Sequence, residues 1–203
     1  MLKGALAVIA LSAGILVAQA QRPADLPAPP PLPYEEVGAC PFECCTYRKW
    51  TVEANTVVRA ERRDNSPIAF RLRRGESVDG LTGVVVTSKF GKAVVRQPTA
   101  LGEAALPVKP GEVVYIINYV GEGYWKFWVG GSFGQQQIPE RDQQCAGDDH
   151  QPIGDLRVAN PTQCDIQITT EPETVWWAEV RNRAGRIGWT RDLEHFGDID
   201  ACG

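Results

Sequence analysis

Apolar and polar positions alternate in short runs along this chain, and Gly, Pro, Asn and Asp break the alternation at close intervals. Runs of that length predict strands joined by turns, and helical periodicity is scarce. In WTVEANTVVRA, beginning at Trp50, Val52, Ala54 and Thr56 alternate with Glu53 and Asn55, the pattern of a half-buried strand. A polar loop, ERRDNSP, follows. IAFRLRRGE then places Ile68, Phe70 and Leu72 on one face, and Gly75 ends the run. VVVTSKFGKAVVR predicts a hairpin, with Val84 to Thr87 turning at Lys89-Phe90-Gly91 into Ala93 to Arg96.

A similar series recurs. PVKPGEVVYIINYV opens on a Pro-Gly turn and leads into an apolar strand, and GEGYWKFWVGG supplies another strand bounded by glycines. In YWKFW, Tyr124 and Trp128 share one face while Trp125 and Phe127 share the other, so one aromatic face is core and the other is covered by a neighbour or exposed. The repetition predicts an all-β fold of two small barrels, tandem or intertwined through shared strands. Residues 98 to 107, PTALGEAALP, form the expected junction, giving a first unit over 37–98 and a second, with insertions, over 99–203.

The last run, DIQITTEPETVWWAEVRNRAGRIGWT, predicts a closing hairpin turning at Asn182 to Gly185. Alternation puts Trp176, Ala178 and Val180 on one face and Trp177, Glu179 and Arg181 on the other. Trp176, Val180, Ile187 and Trp189 are expected to form one apolar wall, with Trp189 in the core. Trp177 is left on the polar face.

The ends of the chain set its address. MLKGALAVIALSAGILVAQA has one charge at Lys3, an apolar or small run from Gly4, and Ala18-Gln19-Ala20, the form of a signal peptide cleaved after Ala20. The apolar run is shorter than the ~20 residues a membrane-crossing helix needs, so no integral membrane span is expected in the mature form. Residues 21–36 are rich in proline and read as an extended spacer. Without Lys3 the chain keeps 20 basic residues against 25 acidic ones, a balance that argues against nucleic acid as principal partner. The cysteines, Cys40, Cys44, Cys45, Cys145, Cys164 and Cys202, all lie beyond the signal. An even number in an exported chain reads as disulfides, which points to a periplasmic or secreted protein. Adjacent Cys44 and Cys45 are poorly placed to bond each other, so at least one reaches far along the chain. Their spacing is not that of a zinc site, and no metal or cofactor is expected.

At VEANTVVRA (Val52 to Ala60), PIAFRLRRGESV (Pro67 to Val78) and the Trp177, Val180, Gly185, Gly188, Trp189 series, the sequence resembles the bacterial SH3-like domain family. The opening and closing pieces lie about 100 residues apart rather than inside one 60-residue unit, which favours tandem or intertwined units. The resemblance implies small, strongly bent SH3-like barrels and an adhesive or targeting role, often toward the cell wall or peptides.

Catalysis is the sharpest alternative, since such modules accompany cell-wall cysteine hydrolases. A nucleophile would have to be Cys44 or Cys45, with His150 or His195 as base, and no separate catalytic region is present to hold them. A secreted hydrolase inhibitor is a further possibility for a disulfide-rich scaffold. Asp148-Asp149-His150 reads as a solvated loop rather than a metal site. From Arg59 to Glu76 there are six arginines and three acids, a basic stretch that is either a solvated face or a contact for an acidic polymer. The expectation is a non-catalytic binding module of the cell envelope, its partner a cell-wall component or an envelope protein or peptide. Trp125, Trp177, Arg181 and Tyr124 are the candidate ligand-binding residues, with Trp125 and Trp177 in one groove between the units.

Overall fold

The computed structural model describes residues 27–140 and 164–202. The signal peptide, Cys145 and the Asp148–His150 loop lie outside these residues. The protein is all-β, with no α-helix among the described residues. From Trp50 the expected first run divides into β2 (Lys49–Val52) and β3 (Thr56–Arg59), preceded by the short β1 (Tyr34–Val37). There follow β4 (Ile68–Leu72), the long β5 (Ser77–Lys89), β6 (Gly91–Val95), a small hairpin of β7 (Thr99–Leu101) and β8 (Leu106–Val108), then β9 (Val113–Gly121), β10 (Tyr124–Val129) and β11 (Ser132–Gln137). The last strands are β12 (Ile166–Thr170), β13 (Glu173–Asn182), β14 (Ile187–Thr190) and β15 (Phe196–Gly197), with a 3-10 turn at Leu193–His195.

Two larger sheets organise these strands. One has the order β15-β2-β5-β13-β14-β3-β4, with β1 added to β5, and it curls into a half-barrel. Its concave side holds Trp50, Val52, Val58, Phe70, Leu72, Val78, Ala178, Val180, Leu193 and Phe196. The other has the order β11-β10-β9-β6-β12 and packs Val114, Ile116, Trp125, Phe127, Ile138 and Ile168 with Leu101 and Val108 from the β7–β8 hairpin. A fully buried Val, Leu, Ile or Phe contributes about 1.5–3 kcal/mol, so two dense clusters of this kind sustain two cores.

Both sheets draw strands from either side of residue 98. The half-barrel combines residues 34–89 with 173–197, and the other sheet combines 91–137 with 166–170. The opening and closing pieces of the SH3-like resemblance meet here, because β14 pairs with β3 and Trp189 stands opposite Arg59. The expected hairpin of Val84–Thr87 with Ala93–Arg96 does not form. One edge of β5 is taken by β13 and the other by β1 and β2, so β6 continues into the second sheet between β9 and β12.

The closing hairpin forms with Asn182 receiving Gly185 N–H at 2.9 Å. Its faces differ from the expected wall. Ala178 is opposite Thr190, Glu179 opposite Trp189, Val180 opposite Gly188 and Arg181 opposite Ile187. Directly paired residues share a face, so Ile187 and Trp189 lie with Glu179 and Arg181 on the convex side, while Gly188 and Thr190 turn inward. Gly188 is needed there, since a Cβ would come within 2.8 Å of Val58 Cγ1 and 2.6 Å of the Arg59 carbonyl oxygen.

The disulfides fix both ends. Cys40 is bonded to Cys45 and Cys44 to Cys202, and Cys164 is bonded as well. Around the second bridge the C-terminus zips onto the start of the half-barrel: Thr46 N–H donates to Ile199 at 3.0 Å and Ala201 N–H to Cys44 at 2.8 Å. The proline-rich spacer also departs from expectation. Within its described part, Pro27 to Pro29 border a groove on the second sheet, and Tyr34–Val37 add to β5 as β1, in register with Thr87 to Val84. No helix among the described residues is long and apolar enough to cross a membrane.

Candidate functional site

The four candidate ligand-binding residues do not share one groove. Trp125 is 5% exposed and sits in the second core, its ring 5.0 Å from that of Tyr119. Trp177 is on the convex face of the half-barrel, as its alternation with Glu179 and Arg181 requires, but it too is 5% exposed, with the Arg191 guanidinium 5.9 Å from its ring centre. Neither ring offers the open face that stacking on a ligand needs. Arg181 is held by Asp79 at 3.2 Å, and Lys49 bonds the same carboxylate at 2.9 Å. The Lys49 and Arg181 hydrogen bonds hold Asp79 below the usual carboxylate range. Tyr124 remains exposed, and a site is built beside it.

The alternation of β10 explains that site. Trp125, Phe127 and Val129 are buried, so Tyr124, Lys126 and Trp128 face outward. Across the Gly130-Gly131 turn, Lys126 is opposite Gln135 and Trp128 opposite Phe133, which brings Phe133 to the same face. Phe133 is 40% and Tyr124 41% exposed. The Trp128 and Phe133 rings meet edge to face at 4.8 Å, a favoured arrangement, and Tyr34 of β1 extends the row 5.5 Å beyond Phe133.

Lys126 stands at the middle. Its ammonium lies 5.1 Å from the Phe133 ring centre and 5.4 Å from that of Tyr34, and it is ion-paired with Glu36, which also accepts the Tyr34 hydroxyl at 3.1 Å. Burial alone would lower the Lys126 pKa, but Glu36 and Tyr34 outweigh it and hold the ammonium above the usual lysine value. The cation is therefore fixed in place and charged at neutral pH.

Opposite this face the β7–β8 hairpin closes a cleft of about 550 Å³, lined by Leu101, Glu103, Leu106, Tyr124, Lys126 and Phe133. The hairpin is anchored by Gly102 N–H donating to Gln136 Oε1 at 2.8 Å. Beneath it Gly134 makes room for the core, since a Cβ there would stand 2.4 Å from Phe127 Cζ. Two aromatic rings, apolar walls and two opposite charges at the rim suit a sugar ring or an extended peptide.

The other sequence candidates resolve differently. Cys44 and Cys45 are both in disulfides, so neither supplies a thiolate. His195 sits on the 3-10 turn with its Nδ1 enclosed. Much of the basic stretch is internally matched: Arg62 pairs with Glu35 at 2.9 Å, Arg63 with Glu61, and Arg59 donates to the Ser66 carbonyl at 2.9 Å. Arg191 pairs with Asp64 at 3.1 Å. No family model, curated protein or solved structure matches this chain.

Proposed function

We propose that this chain is a non-catalytic binding module of the cell envelope, working in a periplasmic or secreted setting and engaging a cell-wall component or an envelope peptide through the Tyr124–Lys126–Phe133 cleft. The observation that carries the reading is the outward aromatic face of β10 and β11, which neither core consumes. Disulfides support an oxidising compartment. The meeting of Val52–Ala60 with Trp177–Trp189 in one half-barrel supports reading that sheet as an SH3-like unit interrupted by the strands of the second sheet. The engagement of both Cys44 and Cys45 in disulfides speaks against the cysteine-hydrolase alternative.

Incubating the oxidised protein with purified peptidoglycan tests the reading. Wild type is expected to sediment with the polymer and release no soluble fragments, and Tyr124→Ala is expected to weaken sedimentation by about 1–3 kcal/mol, the range of an aromatic hot spot. Equal sedimentation of both proteins would remove the cleft from the reading. Soluble fragments would replace binding with hydrolysis.

A further inference from the structure

The proline-rich segment is seated rather than free. Pro27 and Pro29 border a groove of about 610 Å³ whose other walls include Leu106, Val113, Tyr115 and Trp128. Pro27 covers the β10–β11 turn so closely that a Cβ on Gly131 would lie 2.9 Å from its Cγ. Further on, Tyr34 packs on Phe133, Glu36 pairs with Lys126, and β1 takes the free edge of β5 with Gly38 N–H donating to Gly83 at 2.8 Å. A proline set on the β10–β11 turn beside an aromatic-lined groove, strand addition at an open edge and a charge pair are three features of peptide recognition, met here by the chain's own segment.

The attachment of this segment is asymmetric. Its C-terminal end is pinned, because Cys40 is bonded to Cys45 and the Ala39 carbonyl accepts the Tyr47 hydroxyl. Gly38, with φ +78° and no atom within 4 Å of where a Cβ would stand, is an open joint just before that pin. Residues 27–37 are mostly exposed on their outer side.

We infer that the Trp128–Phe133–Lys126 face and the adjoining β5 edge form a binding site for a proline-rich peptide ending in an aromatic and acidic residues, occupied by residues 27–37 as an internal competitor. The ligand supplied in trans has the chemistry of the strap itself: prolines for the β10–β11 turn and the groove beside it, an aromatic ring for Phe133, and a carboxylate for Lys126. A tethered competitor acts at high effective concentration, so the site has low apparent affinity until the strap is displaced. This site shares Lys126 and Phe133 with the cleft beside Tyr124 and rests in that part on the reading proposed for it.

The test is fluorescence anisotropy of a labelled peptide PAPPPLPYEEV, the sequence of Pro27 to Val37, titrated into the oxidised full chain without cell-wall material, so failure of the envelope reading leaves this outcome unmoved. Wild type is expected to bind weakly. Tyr34→Ala/Glu36→Gln, which loosens the strap while leaving the groove intact, is expected to bind about tenfold or more tightly because the open fraction rises. Adding Phe133→Ala to that variant is expected to abolish the gain. Equal affinity of wild type and the loosened variant, or no binding by either, overturns the inference. Amide exchange on unmodified protein gives a second reading: Glu35 to Val37 are expected to exchange through a local opening, ahead of β13. Exchange of those amides only with global unfolding would also overturn it.

Discussion

Trp189 stands opposite Arg59 across the β14–β3 pairing, with the Arg62 guanidinium 5.2 Å above its ring. The ring thus covers the convex side of the half-barrel, and the residue filling the concave side is Trp50, fully buried and hydrogen-bonded through its indole N–H to the Thr46 carbonyl at 3.0 Å.

That geometry ranks two substitutions. Trp50→Ala is expected to cost about 3–5 kcal/mol through lost burial and a residual cavity. Trp189→Ala removes a half-buried ring and a cation–π contact, and is expected to cost about 1–2 kcal/mol. Urea midpoints of the two variants provide the comparison. A loss at Trp189 equal to that at Trp50 would return Trp189 to the core.

Gly83 lies under a crowded junction. A Cβ there would stand 2.0 Å from Tyr47 Oη, 2.4 Å from Trp176 Nε1 and 2.8 Å from the Ala39 carbonyl oxygen. Gly83→Ala is expected to destabilise by about 1–3 kcal/mol, the usual range for overpacking. A thermal melt within a degree of wild type would show that the junction yields without cost.

The same junction has a signature at alkaline pH. Burial, opposed by the Trp176 hydrogen bond at 3.2 Å, holds the Tyr47 hydroxyl above its ordinary value of 10.0. The folded protein therefore keeps this proton after the unfolded chain begins to lose it. The associated stability is complete below pH 10.0 and declines as pH rises from there through the folded value. The difference in denaturation midpoint between wild type and Tyr47→Phe is expected to hold constant from pH 7 to 9 and shrink above it. A difference that does not move with pH would deny any linkage.

The two described bridges are expected to differ in effect. Cys44–Cys202 spans 158 residues and Cys40–Cys45 spans 5. The chain-entropy account gives about 5 kcal/mol for the first and about 2 kcal/mol for the second. Paired serine substitutions, compared by guanidinium denaturation, measure both, and equal losses would reject loop length as the determinant.

Much of the half-barrel was legible because its strands alternate cleanly. The inward faces of Val52, Phe70 and Leu72 and of Trp176, Ala178 and Val180 follow from counting by two. The sheets were not legible, since periodicity gives the faces of a strand and not its neighbours: Val84–Thr87 and Ala93–Arg96 read as a hairpin until other strands claim their edges. Trp189 was misplaced for the same reason, because its face depends on the register across the Asn182–Gly185 turn. The candidate site carried one readable signal. Lys126 shares the parity of Tyr124 and Trp128, so that face turns outward and Trp125 turns in. Phe133 and Tyr34 had no such marker, since only pairing across a turn and a docked strap bring them to Lys126.

The half-barrel that opens the chain is finished by its last strands, and this orders its assembly in time. During synthesis the second sheet has all its strands once residue 170 has emerged, whereas β5 must wait for β13 and β3 for β14. Contacts of such long separation form slowly and leave strand edges unpaired in the interval. The early half therefore passes through a period as an unclosed sheet, with Cys44 a free thiol beside Cys40 and Cys45. Cys44 meets Cys202 once the C-terminal strands have docked, and a premature bond from Cys44 to Cys40 would leave Cys45 and Cys202 without their native partners. Closing the half-barrel is what brings Cys202 beside Cys44, so the bond between them reports that the last strands have docked.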